Sequence, residues 1–146
     1  MNFGLWKKLG ALFKPVIGLA PLANSAGTRN GSAIDRSPAG GVNYAGCTLA
    51  VQVGTPTGSP TSFTVDVKLQ DSADGSTGWA DYKPDGSTTA AITQATAAGL
   101  AEIDVDLSGA KRYIRVVEVV AFVGGSSPAV PVADAVILVG ADRTPV

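Results

Sequence analysis

Histidine is missing from all 146 residues, and cysteine occurs once, as Cys47. Without histidine this chain builds neither a Ser-His-Asp triad nor a Cys-His pair. With one cysteine it builds no Cys-rich zinc site and no intrachain disulfide. Charged residues are scarce, at 16%, and the net charge of −1 shows no bias toward nucleic acid. No run approaches the roughly 20 apolar residues of a membrane-spanning helix. The expectation is a non-enzyme with no cofactor, no metal, no nucleic-acid partner and no membrane partner.

What is present is a mass of 14.6 kDa, enough for one domain with a real core, and many turn-formers: 18 Gly and 9 Pro. The charge is unevenly spread. Residues 1–36 carry about +4, through Lys7, Lys8, Lys14, Arg29 and Arg36 against Asp35, and the remainder about −5. Lys7 and Lys8 precede an apolar run, as in a signal peptide. Lys14 and Pro15 interrupt that run after about five residues, short of the ~7–15 of a signal core.

The chain divides into an arm, residues 1–27, and a body, residues 28–146. On a helical wheel Leu5, Trp6, Leu9, Leu12 and Phe13 share one side, and Lys7, Lys8, Ala11 and Lys14 the other. This pattern predicts an amphipathic helix of about three turns that Pro15 ends at Lys14. So short a helix needs something to pack on, whether its own body, a neighbouring subunit or a partner. Residues 15–27 read as extended.

In the body the period is two. Leu49, Val51 and Val53 alternate with polar or small neighbours, as do Phe63, Val65, Val67 and Leu69, and then Ala101, Ile103, Val105 and Leu107. Residues 112–123 and 132–139 are more evenly apolar, which predicts deeper strands. Gly, Pro, Ser and Asp-Gly clusters punctuate the runs, and 54–60, 71–78, 108–111 and 124–128 read as hairpin loops. Six to eight short strands predict an all-β antiparallel sandwich or small barrel.

Five features carry possible chemistry. Asp71 and Asp74 in DSADGSTG have the wrong spacing for a calcium loop and read as a turn. Glu102, Asp104 and Asp106 lie on one face of one strand, about 6.8 Å apart in succession. That distance permits a glycosidase pair, yet an edge strand kept apart by charge, or pairing with Lys111, Arg112 and Arg115, explains them as well. Cys47 reads as a small buried hydrophobe. Trp79 and Tyr82 read as capping the core, with an exposed binding pair as the alternative. The basic arm is the feature least expected of a self-contained sandwich, so Leu5, Trp6, Lys7, Lys8, Leu9, Leu12, Phe13 and Lys14 are the candidate partner-binding residues.

Three phrases carry a resemblance: SPTSFTVDVKLQDSADGSTGWADY (59–82), AEIDVDLSGAKRYIRVV (101–117) and AVPVADAVILVGADRTPV (129–146). In order and texture they resemble small structural proteins of tailed-bacteriophage heads, several of them capsid cement, or decoration, proteins. The resemblance covers about residues 28–146. It implies a jelly-roll-like sandwich, a trimer as the unit, and the major capsid protein as partner on the capsid surface of the virion. The arm would then supply the anchor, with Trp6, Leu9, Leu12 and Phe13 burying apolar area and Lys7, Lys8 and Lys14 meeting carboxylates. A neck, tail or baseplate part, or a carbohydrate or host-surface module, is the competing reading.

Overall fold

Alternating apolar residues give each strand one face to bury, and two sheets meeting on those faces form the core of this chain. The computed structural model describes residues 13–38 and 43–141. Its strands are β1 (Phe13–Asn24), β2 (Gly27–Asn30), β3 (Ile34–Asp35), β4 (Tyr44–Val53) and β5 (Ser62–Ser72). They continue as β6 (Ala80–Asp81), β7 (Ala91–Ala95), β8 (Gly99–Asp106), β9 (Tyr113–Val123) and β10 (Val130–Ala141). All pairings are antiparallel.

One sheet has the order β1-β10-β4-β8. The other has β2-β9-β5-β6, with β3 beside β2 along β9 and β7 beside β6 along β5. Counting β2 with β3 and β6 with β7 as two broken strands, the sheets run 1-8-3-6 and 2-7-4-5. That is the jelly-roll order, two Greek keys folded face to face. The loops expected as hairpins at 54–60, 108–111 and 124–128 are crossovers, since each joins strands of different sheets. Only 71–78, between β5 and β6, closes a true hairpin. Turn composition is the same in both cases, because a sharp reversal over the sandwich rim needs the same residues as a hairpin.

The core is made by Leu49, Val51, Val65, Val67, Leu69, Leu107, Ile114, Val116, Val130, Val132, Val136 and Leu138, all essentially inaccessible. The evenly apolar segments 112–123 and 132–139 are β9 and β10, each flanked on both sides by other strands. Residues 15–24 are extended as expected, but they form a full edge strand of the first sheet along β10. Pro15 and Pro21 are tolerated there, where an edge leaves the missing N–H without consequence. The predicted helix falls mostly on residues 1–12, outside the described residues. Its last two residues, Phe13 and Lys14, are strand instead, held by pairing with Val139 and Leu138.

Polar groups also cross the interior. Glu118 on β9 is fully buried and accepts hydrogen bonds from Asn24 Nδ2 (2.7 Å), Arg29 Nε (3.2 Å) and Arg29 Nη2 (2.9 Å). Asp134 on β10 is buried beside it. Burial, then the negative charge of Glu118, pushes the Asp134 carboxyl up to about 8. At the opposite end, buried Arg36 donates to Lys111 O, Tyr44 O and Ala110 O, and to Asn43 Oδ1, tying the β3–β4 segment to the β8–β9 crossover.

Candidate interaction surface

The two outer faces of the sandwich differ in kind. On the outside of the β9–β5 sheet, charges find partners within the sheet or close to it. Lys68 Nζ lies 2.7 Å from Asp81, Arg115 donates twice to Gln70 Oε1, and Arg112 pairs with Asp35. The Arg115 guanidinium also stacks 4.4 Å over the half-buried Trp79 ring. That arrangement satisfies itself.

The outside of the β1-β10-β4-β8 sheet is graded. Its register aligns residues in rows across the strands. Phe13, Val139, Gly46 and Asp106 form one row, Pro15, Ile137, Thr48 and Asp104 the next, and Ile17, Ala135, Ala50 and Glu102 the third. Each row is apolar on β1 and β10, small on β4 and acidic on β8. Ile17 is 69% exposed and Phe13 40%, and Leu100, next along β8, is 71% exposed. The small residues of β4 form the floor of a trough. At one end is an open depression of about 510 Å³, bounded by Phe13, Val139, Thr48, Asp104 and Asp106. Further along is another of about 300 Å³, bounded by Ile17, Ala50, Gln52, Leu100 and Ala133.

The sequence candidates fall around this frame. Glu102, Asp104 and Asp106 are exposed on β8, an edge strand, as one of their readings had it. They do not pair with Lys111, Arg112 or Arg115. Asp104 accepts from Thr48 Oγ1 (2.7 Å), and Asp106 from the Ser108 N–H (2.8 Å), a bond that lowers the Asp106 pKa. Among the described residues, none of the three carboxylates forms an ion pair with a cation. Asp74 is a turn residue, taking the N–H groups of Ser76 and Thr77 on Oδ1. Those bonds, with the Thr77 hydroxyl first, hold its carboxyl far below the usual range. Asp71 instead ion-pairs with Lys111. Cys47 is buried, and desolvation pushes its thiol up to about 12. Tyr82 is buried and donates its hydroxyl to Asp106 O (2.7 Å), so it caps the core.

Of the candidate partner-binding residues, Leu5, Trp6, Lys7, Lys8, Leu9 and Leu12 lie outside the described residues. Phe13 is on the graded face. Lys14, next along β1, is exposed, and its field reaches Asp35. What sequence reasoning missed is the set of buried Asn24, Glu118 and Asp134 with half-buried Arg29. The signal was available, since a single acid inside each of two valine-rich runs, VVEVV and VADAV, marks a buried carboxyl rather than a solvated one.

No family model matches the sequence, and no curated protein matches it. Among solved structures the chain is similar to the PBSX exported protein XepA, with a TM-score of 0.55 and 21% identity over 91% of this chain. The chain spans 39% of the length of that protein. A turnip yellow mosaic virus structure aligns over 92% of this chain and 82% of its own, at 10% identity and a TM-score of 0.38, too slight a likeness to carry an argument. What the chain shares with XepA is its fold.

Proposed function

We propose that this chain is a structural part of a virion and, within that class, a cement protein on the outside of a phage head. The major capsid protein is its partner and a trimer its unit in this reading. The observation that carries the reading is the graded outer face of the β1-β10-β4-β8 sheet. It is broad and open, with exposed apolar side chains beside uncompensated carboxylates, as a surface made for contact needs. The carboxylates stand on an open edge rather than in a closed cleft, which favours a contact role over general acid–base work. The jelly-roll order supports the reading by analogy only, since that fold serves viral shells and sugar-binding domains alike.

A protein that binds only the assembled shell stabilises it by linkage, and several subunits bound together hold more tightly than one. Counting copies in purified particles tests this. Hundreds per particle, in step with the major shell protein, is the expected result. A dozen or fewer, a ring-like number, moves the chain to the neck, tail or baseplate. Absence from the particle sinks the virion reading. Converting Glu102, Asp104 and Asp106 to Gln and Asn is expected to abolish no turnover, and a lost activity overturns the non-enzymatic part.

A further inference from the structure

A sheet edge recruits further strands unless something blunts it. Here β1 is blunted by Pro15, Pro21 and its register shifts, and the other sheet ends in the short broken pairs β2 with β3 and β6 with β7. β8 differs. It runs for 8 residues beside β4 without a proline or a register shift, and has no strand on its far side among the described residues. We propose that β8 accepts an added antiparallel strand from another protein, an extended segment with cations at alternate positions and apolar residues between them.

The backbone shows which groups would receive it. Antiparallel strands bond through alternate residues. The Leu107 N–H donates to Ala45 O (2.8 Å), so in this constant register Val105, Ile103, Ala101 and Gly99 turn their backbone groups to β4. Across β4 the Gly54 N–H donates to Pro131 O (2.7 Å), which sets the same alternation from the other side. Leu100, Glu102, Asp104 and Asp106 therefore turn their N–H and C=O groups outward from the edge. One of these is already used: the Tyr82 hydroxyl donates to Asp106 O (2.7 Å). The C=O groups of Leu100, Glu102 and Asp104 accept no hydrogen bond among the described residues.

Side chains decide what kind of strand fits. A directly opposed residue stands on the same face as its partner. Opposite Glu102, Asp104 and Asp106 a cation meets carboxylates that hold no ion pair among the described residues. A second β8 sets carboxylate against carboxylate there, so the row that repels self-pairing leaves the edge open to a basic strand. The intervening side chains turn inward. They meet half-buried Ile103 and an open depression of about 290 Å³, bounded across from β8 by Pro84, Thr88, Ala90 and Ala91. That inner side takes apolar residues.

This names the partner's contribution to the face described above, and rests on that contact reading in taking the partner to be another protein. Edge pairing is measured on the chain alone and copy number on particles, so either can fail without the other.

Peptides of about seven residues alternating lysine and valine, long enough to span the open edge, test it on the full-length chain. Amides of Leu100, Glu102 and Asp104 are expected to exchange fast in the free chain and to slow by about tenfold or more with saturating peptide. Those of Ala101 and Ile103, already bonded to β4, are expected to change little. In an antiparallel added strand the lysine N–H groups reach β8 and the valine N–H groups point away. N-methylation of the lysines is therefore expected to weaken binding about tenfold or more, while N-methylation of the valines leaves it within about threefold. A glutamate–valine peptide is expected not to bind. Equal binding of the two methylated peptides, or the reverse order, overturns the proposal. So do slow exchange at all three amides of the free chain, equal slowing at Ala101 and Ile103, and no binding of the lysine–valine peptide.

Discussion

Glu118 and Asp134 lie together inside the sandwich as two carboxyls with one guanidinium, Arg29, bonded to Glu118 alone. Arg29 and Asn24 serve Glu118, while neither oxygen of Asp134 takes a hydrogen bond from a donor among the described residues. Burial first, and then the charge of Glu118, hold the Asp134 carboxyl in its protonated form up to about pH 8. The pH behaviour of the fold follows. The unfolded Asp134 titrates near 3.8 and the folded one near 8, so between those values the folded state holds a proton that the unfolded state lacks. Stability conferred by that proton is full below the unfolded value and is lost as pH rises through the folded one. Asp134→Asn keeps the shape of the side chain and removes its titration. It is expected to flatten this loss and to stabilise the fold at pH 8 by roughly 1–3 kcal/mol. Urea denaturation at pH 4, 6 and 8 measures it, and parallel pH slopes for the two proteins count against the assignment.

Arg29 is the cation that makes the buried pair tolerable. Arg29→Ala leaves Glu118 buried without its partner and is expected to cost about 3 kcal/mol or more. The double variant Arg29→Met/Glu118→Met, which removes both charges, is expected to recover most of that loss. A single variant as stable as the parent shows the pair to be dispensable.

Gly31 sits where two backbones nearly touch. Its N–H donates to Val116 O (2.8 Å), and a Cβ there would strike the carbonyl oxygen of Gly18. Gly31→Ala is expected to lower stability by roughly 1–3 kcal/mol through forced displacement of β1. Thermal melting reads this directly, and an unchanged Tm shows that β1 moves aside freely.

Cys47, though it borders the trough, is buried with its thiol pushed up to about 12. Iodoacetamide at pH 8 is expected to leave the native protein unmodified and to label it fully in denaturant. Prompt labelling of the native form places the sulfur at the surface.

The strands were legible because period two is written in residues such as Phe63, Val65, Val67 and Leu69, which all point into the core. Sheet membership was not, because alternation tells which face is buried and says nothing of which neighbour pairs. GTPTGSP therefore passed for a hairpin when it carries the chain from β4 across to β5. Residues 15–24 lacked a period because β1 is an edge with register shifts between Ile17 and Leu22, where exposed apolar residues interrupt the alternation. For the acidic row on β8 the charged edge was one of two structural readings, and the sheet order, with β8 last in its sheet, decides for it over pairing with Lys111, Arg112 and Arg115. Its apolar counterpart on β1 and β10 was invisible, since it exists only once strands distant in sequence lie side by side.

The closing of β1 onto β10 also bears on how the chain reaches this state. Phe13 meets Val139 across nearly the whole length of the polypeptide, and Asn24 meets Glu118 from 94 residues away. Contacts so remote in sequence form only after a large loop has closed, which places this fold among the slower-folding topologies. Until β10 is in place, β1 has no strand to pair with. A permuted chain joining residues 13 and 141 by a short linker and opened at the Asp85–Gly86 turn would make that distant meeting a local one, and should fold faster to the same sandwich.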